Sequence, residues 1–427
     1  MQRKSALAPL GPSAALIAGT GNLFPDRPYP TCGGQLGALY ACVPGEQDMP
    51  QALDAGENQD LYFAAQLAFD ALLDAGMRRN APQRGTVRLG YAPPFNSSTV
   101  NWLEHTFFID QTMDVLQGFA QGIQLKALDE IRSRLIASLP RPDAASFLTG
   151  TGNRLAAHIA RECAFTGGAT TLDAGALSGV AALRAAMDDL RSGRADVALA
   201  GGLTPPLNRS YLQGLSGEWL FASDSELLPF DREAHGTVPG EGGAFFVLKR
   251  EQDALAANDR IYALVRGIAC GSSSAEELLA AAADRADAPI HSIGLIEADG
   301  CGVPEFDADE VATVQRLWGE HSAGGPLVGI GSVKGNIGHC FRASASAALL
   351  KTAMALRQRV LPPQVTAPHP LPELSNISSS VYLLNDARPW ITGDPASPRR
   401  AAIMVRAAYG HRGAVVLEEE PDRGERE

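Results

Sequence analysis

From end to end the 427-residue chain alternates short apolar runs of strand length with longer Ala- and Leu-rich stretches of helical periodicity. That alternation confines it to the layered α/β architectures. Apolar runs predict strands at Ala14–Gly19, Thr170–Asp173, Asp196–Ala200, Gly243–Leu248 and Ile261–Arg266, and again at Ile293–Glu297, Leu327–Ser332, Ala401–Val405 and Ala414–Glu418. Helices are predicted at Asp60–Gly76, Leu177–Arg191, Asp307–Trp318 and Ala343–Arg359. In the second of these, Val180, Leu183, Met187 and Leu190 share one face, and Gly193 supplies the stop. The halves 1–250 and 251–427 have a similar make-up and meet near Lys249–Asn258, which predicts a duplicated fold without a residue-level repeat. Segment 97–143, with Trp102, Phe107, Phe108 and a helical pattern through Leu135, fits less well and reads as a lid or a dimer-facing insertion. The tail Glu418–Glu427 is charged and expected to fray.

Composition narrows the function classes. Hydrophobic residues at 45% and charged residues at 20% are globular values. Lys+Arg 36 against Asp+Glu 48 gives −12, which argues against a nucleic-acid binder acting through bulk positive charge. Six cysteines (32, 42, 163, 270, 301, 340) form no CxxC pair, so reduced thiols in a cytoplasmic protein are expected, with no structural zinc. His158 and Glu162 do not complete HExxH, and no metal site is expected. The start MQRKSALAPLGPSAALIAGTGN imitates a leader, but Pro9 and Pro12 interrupt it. No apolar run reaches the roughly 18 residues of a membrane span, so a soluble, non-exported chain is expected. Gly19-Thr20-Gly21 follows a strand, yet Phe24 stands where a dinucleotide loop needs its last glycine, and no cofactor is expected.

Three segments carry more. Leu228-Pro229-Phe230-Asp231-Arg232-Glu233-Ala234-His235-Gly236 leads to Gly240-Glu241-Gly242-Gly243 and an apolar strand. Val333-Lys334-Gly335-Asn336-Ile337-Gly338-His339 leads into the Ala-rich helix ending Leu356-Arg357, then Pro362-Pro363. Thr171-Leu172-Asp173 precedes a helix ending Leu190-Arg191-Ser192-Gly193, then Asp196-Val197-Ala198-Leu199-Ala200-Gly201-Gly202. In order and spacing these resemble the signature blocks of β-ketoacyl synthases of the fatty-acid and polyketide type. The opening Ile17-Ala18-Gly19-Thr20-Gly21 and Phe24-Pro25 extends the resemblance over nearly the whole chain. It implies a thiolase-type duplicated αβαβα layered fold, a dimer, and a substrate carried on the phosphopantetheine arm of an acyl carrier protein. The family chemistry uses a Cys at a helix N-terminus, where the dipole lowers its pKa, and two His residues that promote decarboxylation and stabilise the enolate.

The resemblance breaks at the chemistry. Ala176 occupies the Cys position in Asp173-Ala174-Gly175-Ala176-Leu177-Ser178-Gly179. Asp299 replaces the first His in Asp299-Gly300-Cys301-Gly302-Val303-Pro304, and Cys301 and Val303 replace threonines that resemble pantetheine contacts. The C-terminal glycine-rich loop has become Ala407-Ala408-Tyr409-Gly410-His411-Arg412, with Ala408 and Tyr409 at substrate-facing positions. His339 and Lys334 remain as catalytic candidates beside Asp299, while Asp231 and Glu241 read as loop-bridging carboxylates. A deliberate Cys-to-Ala exchange accounts for Ala176 alone and not for the other changes. Cys301 as a displaced nucleophile follows a turn glycine and does not open a helix.

Two function classes follow. One is a non-elongating subunit similar to a chain length factor, forming a heterodimer with an active ketosynthase or otherwise a homodimer. The other is a repurposed enzyme in which Asp299 and His339 form an acid/base pair that decarboxylates, dehydrates, isomerises or cyclises a carrier-bound acyl chain. A third, a carrier-docking scaffold, would draw on the clusters Arg78-Arg79, Arg132-Arg134 and Arg399-Arg400.

Overall fold

In the computed structural model, residues 14–23, 59–77, 83–92, 97–119, 125–139, 151–205, 207, 209–224, 226–319, 327–364, 367–375, 379–392 and 397–420 are described. The opening Phe24-Pro25, Cys32, Cys42, Arg78-Arg79 and the last residues of the tail lie outside them. Among the described residues, eleven strands form one sheet: β1 (Ala14–Leu23), β2 (Gly85–Gly90), β3 (Ala169–Leu172), β4 (Val197–Thr204), β5 (Gly242–Arg250), β6 (Ile261–Gly271), β7 (Ile293–Glu297), β8 (Val328–Gly331), β9 (Val381–Leu383), β10 (Arg400–Arg406) and β11 (Arg412–Glu418). Their spatial order is β9-β8-β7-β10-β11-β6-β1-β5-β4-β2-β3.

The order contains the duplication. Outward from the centre, β1 pairs antiparallel with β5, β5 antiparallel with β4, β4 parallel with β2, and β2 parallel with β3. On the other side β6, β11, β10, β7 and β8 repeat the same senses, and β1 and β6 join the halves antiparallel. Six helices complete the layers: α1 (Gln59–Asp74), α2 (Gly152–Glu162), α3 (Ser178–Arg191), α4 (Ala275–Arg285), α5 (Pro304–Trp318) and α6 (Ser344–Gln358). α3 and α6 pack on each other and on strands of both halves, α1 and α2 cover the outer face of the first half, and α4 and α5 that of the second. This is the αβαβα arrangement.

Composition explains the middle layer. From Ser344 to Leu356 every residue of α6 except Met354 is buried, because Ala and Ser side chains let backbone approach backbone from all sides. α3 buries Val180, Leu183, Met187 and Leu190, the predicted face, and ends before Gly193, whose φ of +69° stops it. Its start is set by a glycine in the neighbouring strand, since a Cβ on Gly90 would lie 2.6 Å from the Ser178 carbonyl carbon. α5 begins three residues before the point expected from the sequence, because Pro304 at its first position is already in helical geometry. β2 carries no clear signal in the sequence: it is short, bounded by glycines and includes Arg88, whose charge is met by Asp189 at 2.7 Å.

Segment 97–138 forms the helices Ser97–Leu103, Ile109–Phe119 and Leu125–Ser138, with a π-turn at Glu104–Phe108. It leaves Phe107, Phe108, Val115 and Phe119 exposed. Among the described residues no helix is long and apolar enough to cross a membrane.

Candidate functional site

β3 delivers the chain into the turn 173–177, which its own side chains shape. Gly175 takes φ +58° and its N–H donates to Asp173 Oδ1 at 3.2 Å, while Ser178 Oγ accepts from the Ala174 N–H at 2.9 Å and donates to the Gly175 carbonyl at 2.7 Å. Ala176 is buried two residues before α3 starts. Ala176, Val333, Cys340 and Ala407 belong to one apolar cluster, so the 173–177 turn, the 333–340 loop and the C-terminal loop converge there. A buried methyl is all that position 176 presents, and it can neither attack nor leave.

The second element is the turn 299–302 between β7 and α5. Its backbone amides all point into two carboxylates on the first turns of α5. Glu310 accepts from the Asp299 and Gly300 N–H groups at 3.0 and 2.8 Å, and Asp307 accepts from Cys301 and Gly302 at 2.9 and 3.2 Å and from Phe230 at 2.9 Å. Burial is the main reason that Asp307 is pushed up to about 7 and Glu310 to about 8, with Asp299 adding like-charge repulsion to both. The sequence motifs do not single out this pair, yet two acidic residues three apart, just after a glycine turn, share one helix face and could have marked it.

Asp299 sits at the centre. Its Oδ1 lies 2.6 Å from Lys334 Nζ, with both side chains 4% exposed or less, and accepts the Arg406 N–H at 3.1 Å. Its Oδ2 is buried without a hydrogen-bond partner among the described residues. Burial lowers the Lys334 pKa, but Asp299 and its neighbours outweigh this and raise it, so the ammonium stays charged. A second buried pair, Lys351 and Glu297 at 2.7 Å, lies alongside, and Glu297 also accepts the Val333 N–H. Of the residues singled out from the sequence, Asp299 and Lys334 are thus brought together, bound to each other. Between Asp299 and His339 there is no hydrogen bond.

His339 is fully buried. Its Nδ1 accepts the Phe341 N–H at 3.0 Å, which leaves the proton on Nε2, and Nε2 has no partner among the described residues. Burial first, and Lys334 second, push its pKa well below the ordinary histidine value, so the ring is neutral. Trp219 packs on it with centroids 4.3 Å apart, and Phe341 at 4.7 Å. Neither aromatic residue stands out in the sequence, and nothing in the local pattern distinguishes them from core.

The remaining candidates are placed as follows. Cys301 and Val303 are buried against Tyr211, Leu215, Trp219 and Phe341. Burial, with Asp307 and Asp299 nearby, raises the Cys301 thiol well above its ordinary value, the reverse of an activated nucleophile. Ala408 is half-buried, and Tyr409, in left-handed backbone at φ +61°, is 87% exposed. Ala407 of that loop reaches the 173–177 turn, where a Cβ on Gly175 would lie 3.6 Å from its own. Asp231 accepts the Glu233 and His369 N–H groups, and Glu241 accepts that of Leu207, so both bridge loops. Arg132 is paired to Asp110, Arg399 to Glu419 and Arg400 to Glu418.

Comparison with known proteins places this geometry. The family described as beta-ketoacyl synthase, N-terminal domain, matches residues 109–254, and its C-terminal counterpart matches residues 265–367. The chain is 32% identical over 284 residues to the spectinabilin polyketide synthase system protein NorA' of Streptomyces orinoci, covering 64% of this chain and 8% of that protein. It is 29% identical over 320 residues to a mycocerosic acid synthase-like polyketide synthase of Mycolicibacterium smegmatis, covering 72% and 15%. The chain thus spans a small fraction of the curated relatives it matches. Among solved structures, an oxazolomycin ketosynthase domain of Streptomyces albus JA3453 superposes with a TM-score of 0.68 at 27% identity, covering 86% of this chain and 60% of that one. The ketosynthase from module 6 of the bacillaene synthase of Bacillus subtilis 168 shares the fold, with a TM-score of 0.71 at 20% identity, covering 96% and 72%.

Proposed function

Because the chain belongs to the beta-ketoacyl synthase family, we propose that it is a ketosynthase-like subunit of polyketide assembly that does not elongate. It completes a dimer with an active ketosynthase and helps to shape the site for acyl chains on a carrier protein. One observation carries the reading: Ala176 offers a buried methyl where the nucleophile is implied, and Asp299, where the first His is implied, is tied to Lys334 at 2.6 Å. Attack on a thioester needs a nucleophile, and an ion-paired carboxylate cannot donate a hydrogen bond to a developing enolate.

The acid/base alternative requires Asp299 to exchange a proton with substrate. Its Oδ1 already receives Lys334 and the Arg406 N–H, and no hydrogen bond links it to His339. The geometry favours the non-elongating reading over that one.

The test is co-expression with an intact ketosynthase from the same gene neighbourhood, followed by size exclusion and an assay of malonyl-carrier consumption. The expected result is a stable heterodimer, with no condensation or decarboxylation by this chain alone. Turnover by the isolated chain that His339→Ala and Asp299→Ala abolish would replace the reading with the acid/base one. A homodimer indifferent to every such ketosynthase would remove the partner role.

A further inference from the structure

Where β10 turns into β11, Arg406 stands directly opposite Arg412 and closes the 407–411 loop with two like charges. Like charges in that relation destabilise a sheet unless counter-charge is supplied. One carboxylate supplies it: both guanidiniums donate an Nη2–H to Asp309 Oδ2, at 2.7 and 3.2 Å. Glu310 adds no second anion, because its oxygens accept the Asp299 and Gly300 N–H groups and burial raises its carboxyl to about 8. Asp299 is neutralised by Lys334. Two guanidiniums against one carboxylate leave one positive charge.

The same two arginines line a cleft of about 280 Å³, partly open to solvent, together with Glu310, Leu278, Met404 and Ala414. Arg406 is held there, with its guanidinium over the Phe306 ring at 4.3 Å and only 9% of the residue exposed. Arg412 is only partly committed, since its Nε is buried without a partner among the described residues. Buried donors of that kind are uncommon, and a guanidinium edge is a fork that fits a carboxylate. Leu278, Met404 and Ala414 belong to the core under α4 and α5, a different cluster from that of Ala176.

We propose that this cleft binds a short-chain monocarboxylate, which accepts the Arg412 Nε–H and lays its hydrocarbon tail against Leu278, Met404 and Ala414. A monoanion neutralises the cluster, whereas a dianion would overshoot it. The cleft falls short of the roughly 300–1,000 Å³ of pockets for drug-sized ligands, so the tail is short. Because the Arg406 N–H also holds Asp299 Oδ1 at 3.1 Å, an occupant settles the strand end that supports the buried 299–302 turn.

The experiment is isothermal titration of the full chain with sodium propionate at constant ionic strength, in the wild type, Arg412→Gln and Arg412→Lys. The wild type should bind one equivalent saturably. Both variants should bind about tenfold more weakly or worse, because lysine keeps the charge but not the Nε–H. Arg84→Gln, at an exposed arginine paired to Asp196, should bind as the wild type does. Formate, which has no tail, should bind about threefold more weakly than propionate. In the wild type itself, propionate should slow phenylglyoxal modification of Arg412 and leave that of Arg84 unchanged, a readout that no variant's folding affects. Absence of saturable binding, or of Arg412 protection, overturns the site. Full affinity in Arg412→Lys overturns the role of the Nε–H. Inorganic phosphate binding more tightly than propionate, or formate binding as tightly, overturns the ligand class. Neither turnover nor a ketosynthase partner enters any of these outcomes, so failure here and failure of the non-elongating reading are distinguishable.

Discussion

Lys334→Met removes the cation that faces Asp299 and leaves three carboxyl groups, Asp299, Asp307 and Glu310, around one buried turn. At 2.6 Å and an effective dielectric of 20, two unit charges attract by roughly 6 kcal/mol. Desolvation of both ions offsets much of that, so the pair adds little net stability, but removing one partner strands the other. The expected loss is about 3–5 kcal/mol, against the ~5–15 kcal/mol total stability of a folded domain. Asp299→Asn keeps an acceptor for the Arg406 N–H and should cost less. The double variant should cost less than the two singles together, with a coupling of about 2 kcal/mol. Urea unfolding of the four proteins at pH 7 measures this. A loss below about 1 kcal/mol for Lys334→Met, or a coupling within about 0.5 kcal/mol of zero, would refute the argument that this ion pair organises the turn.

Ala176→Cys should accept an acyl group from a carrier protein, because the helix dipole of α3 arises from its backbone. It should still not condense, since Asp299 remains tied to Lys334; a mass shift at Cys340 in the wild type would contradict the inert site. Asp307 and Glu310, raised to about 7 and about 8, hold protons in the folded state that the unfolded chain has already released. Their stabilisation is complete below the unfolded values and is lost as pH rises through 7 and 8, so stability should fall by about 2 kcal/mol from pH 6.5 to 8.5. Buried neutral His339 acts in the opposite sense only below its unfolded value, and a stability that increases across this window would overturn the carboxyl assignment. At the sheet edge β3 pairs on one side only among the described residues, and the bonds from Val87 and Tyr91 to the carbonyls of Gly168 and Leu172 put even-numbered residues toward β2. Thr171 therefore holds an outward N–H, and Thr171→Pro should convert a dimer into monomer or insoluble material in light scattering. Thr170→Pro would strike the inner ladder; a soluble wild-type monomer would show that the edge needs no cover.

How much was legible in the sequence follows from the range of each interaction. Periodicity and breakers act within a few residues, so α3 with its Gly193 stop, α6 and the strand Ile293–Glu297 could be read directly. Helix α2 and strand β2 could not, because Arg88 inside a strand makes sense only once Asp189, a hundred residues away, is opposite it. The candidate residues Ala176, Asp299, Lys334 and His339 stood in segments whose order resembles the family's signature blocks, so they could be singled out without coordinates. Their states could not. That Asp299 is ion-paired and that His339 lies neutral against Trp219 depend on burial and on contacts between segments dozens to more than a hundred residues apart. The turn amides that Glu310 and Asp307 gather are only 5–11 residues away, and what burial decides there is the raised pKa of the two carboxyls. Local pattern determines which residue stands where along an element. Desolvation and the choice of partner, which decide charge and reactivity, arise only when the layers close.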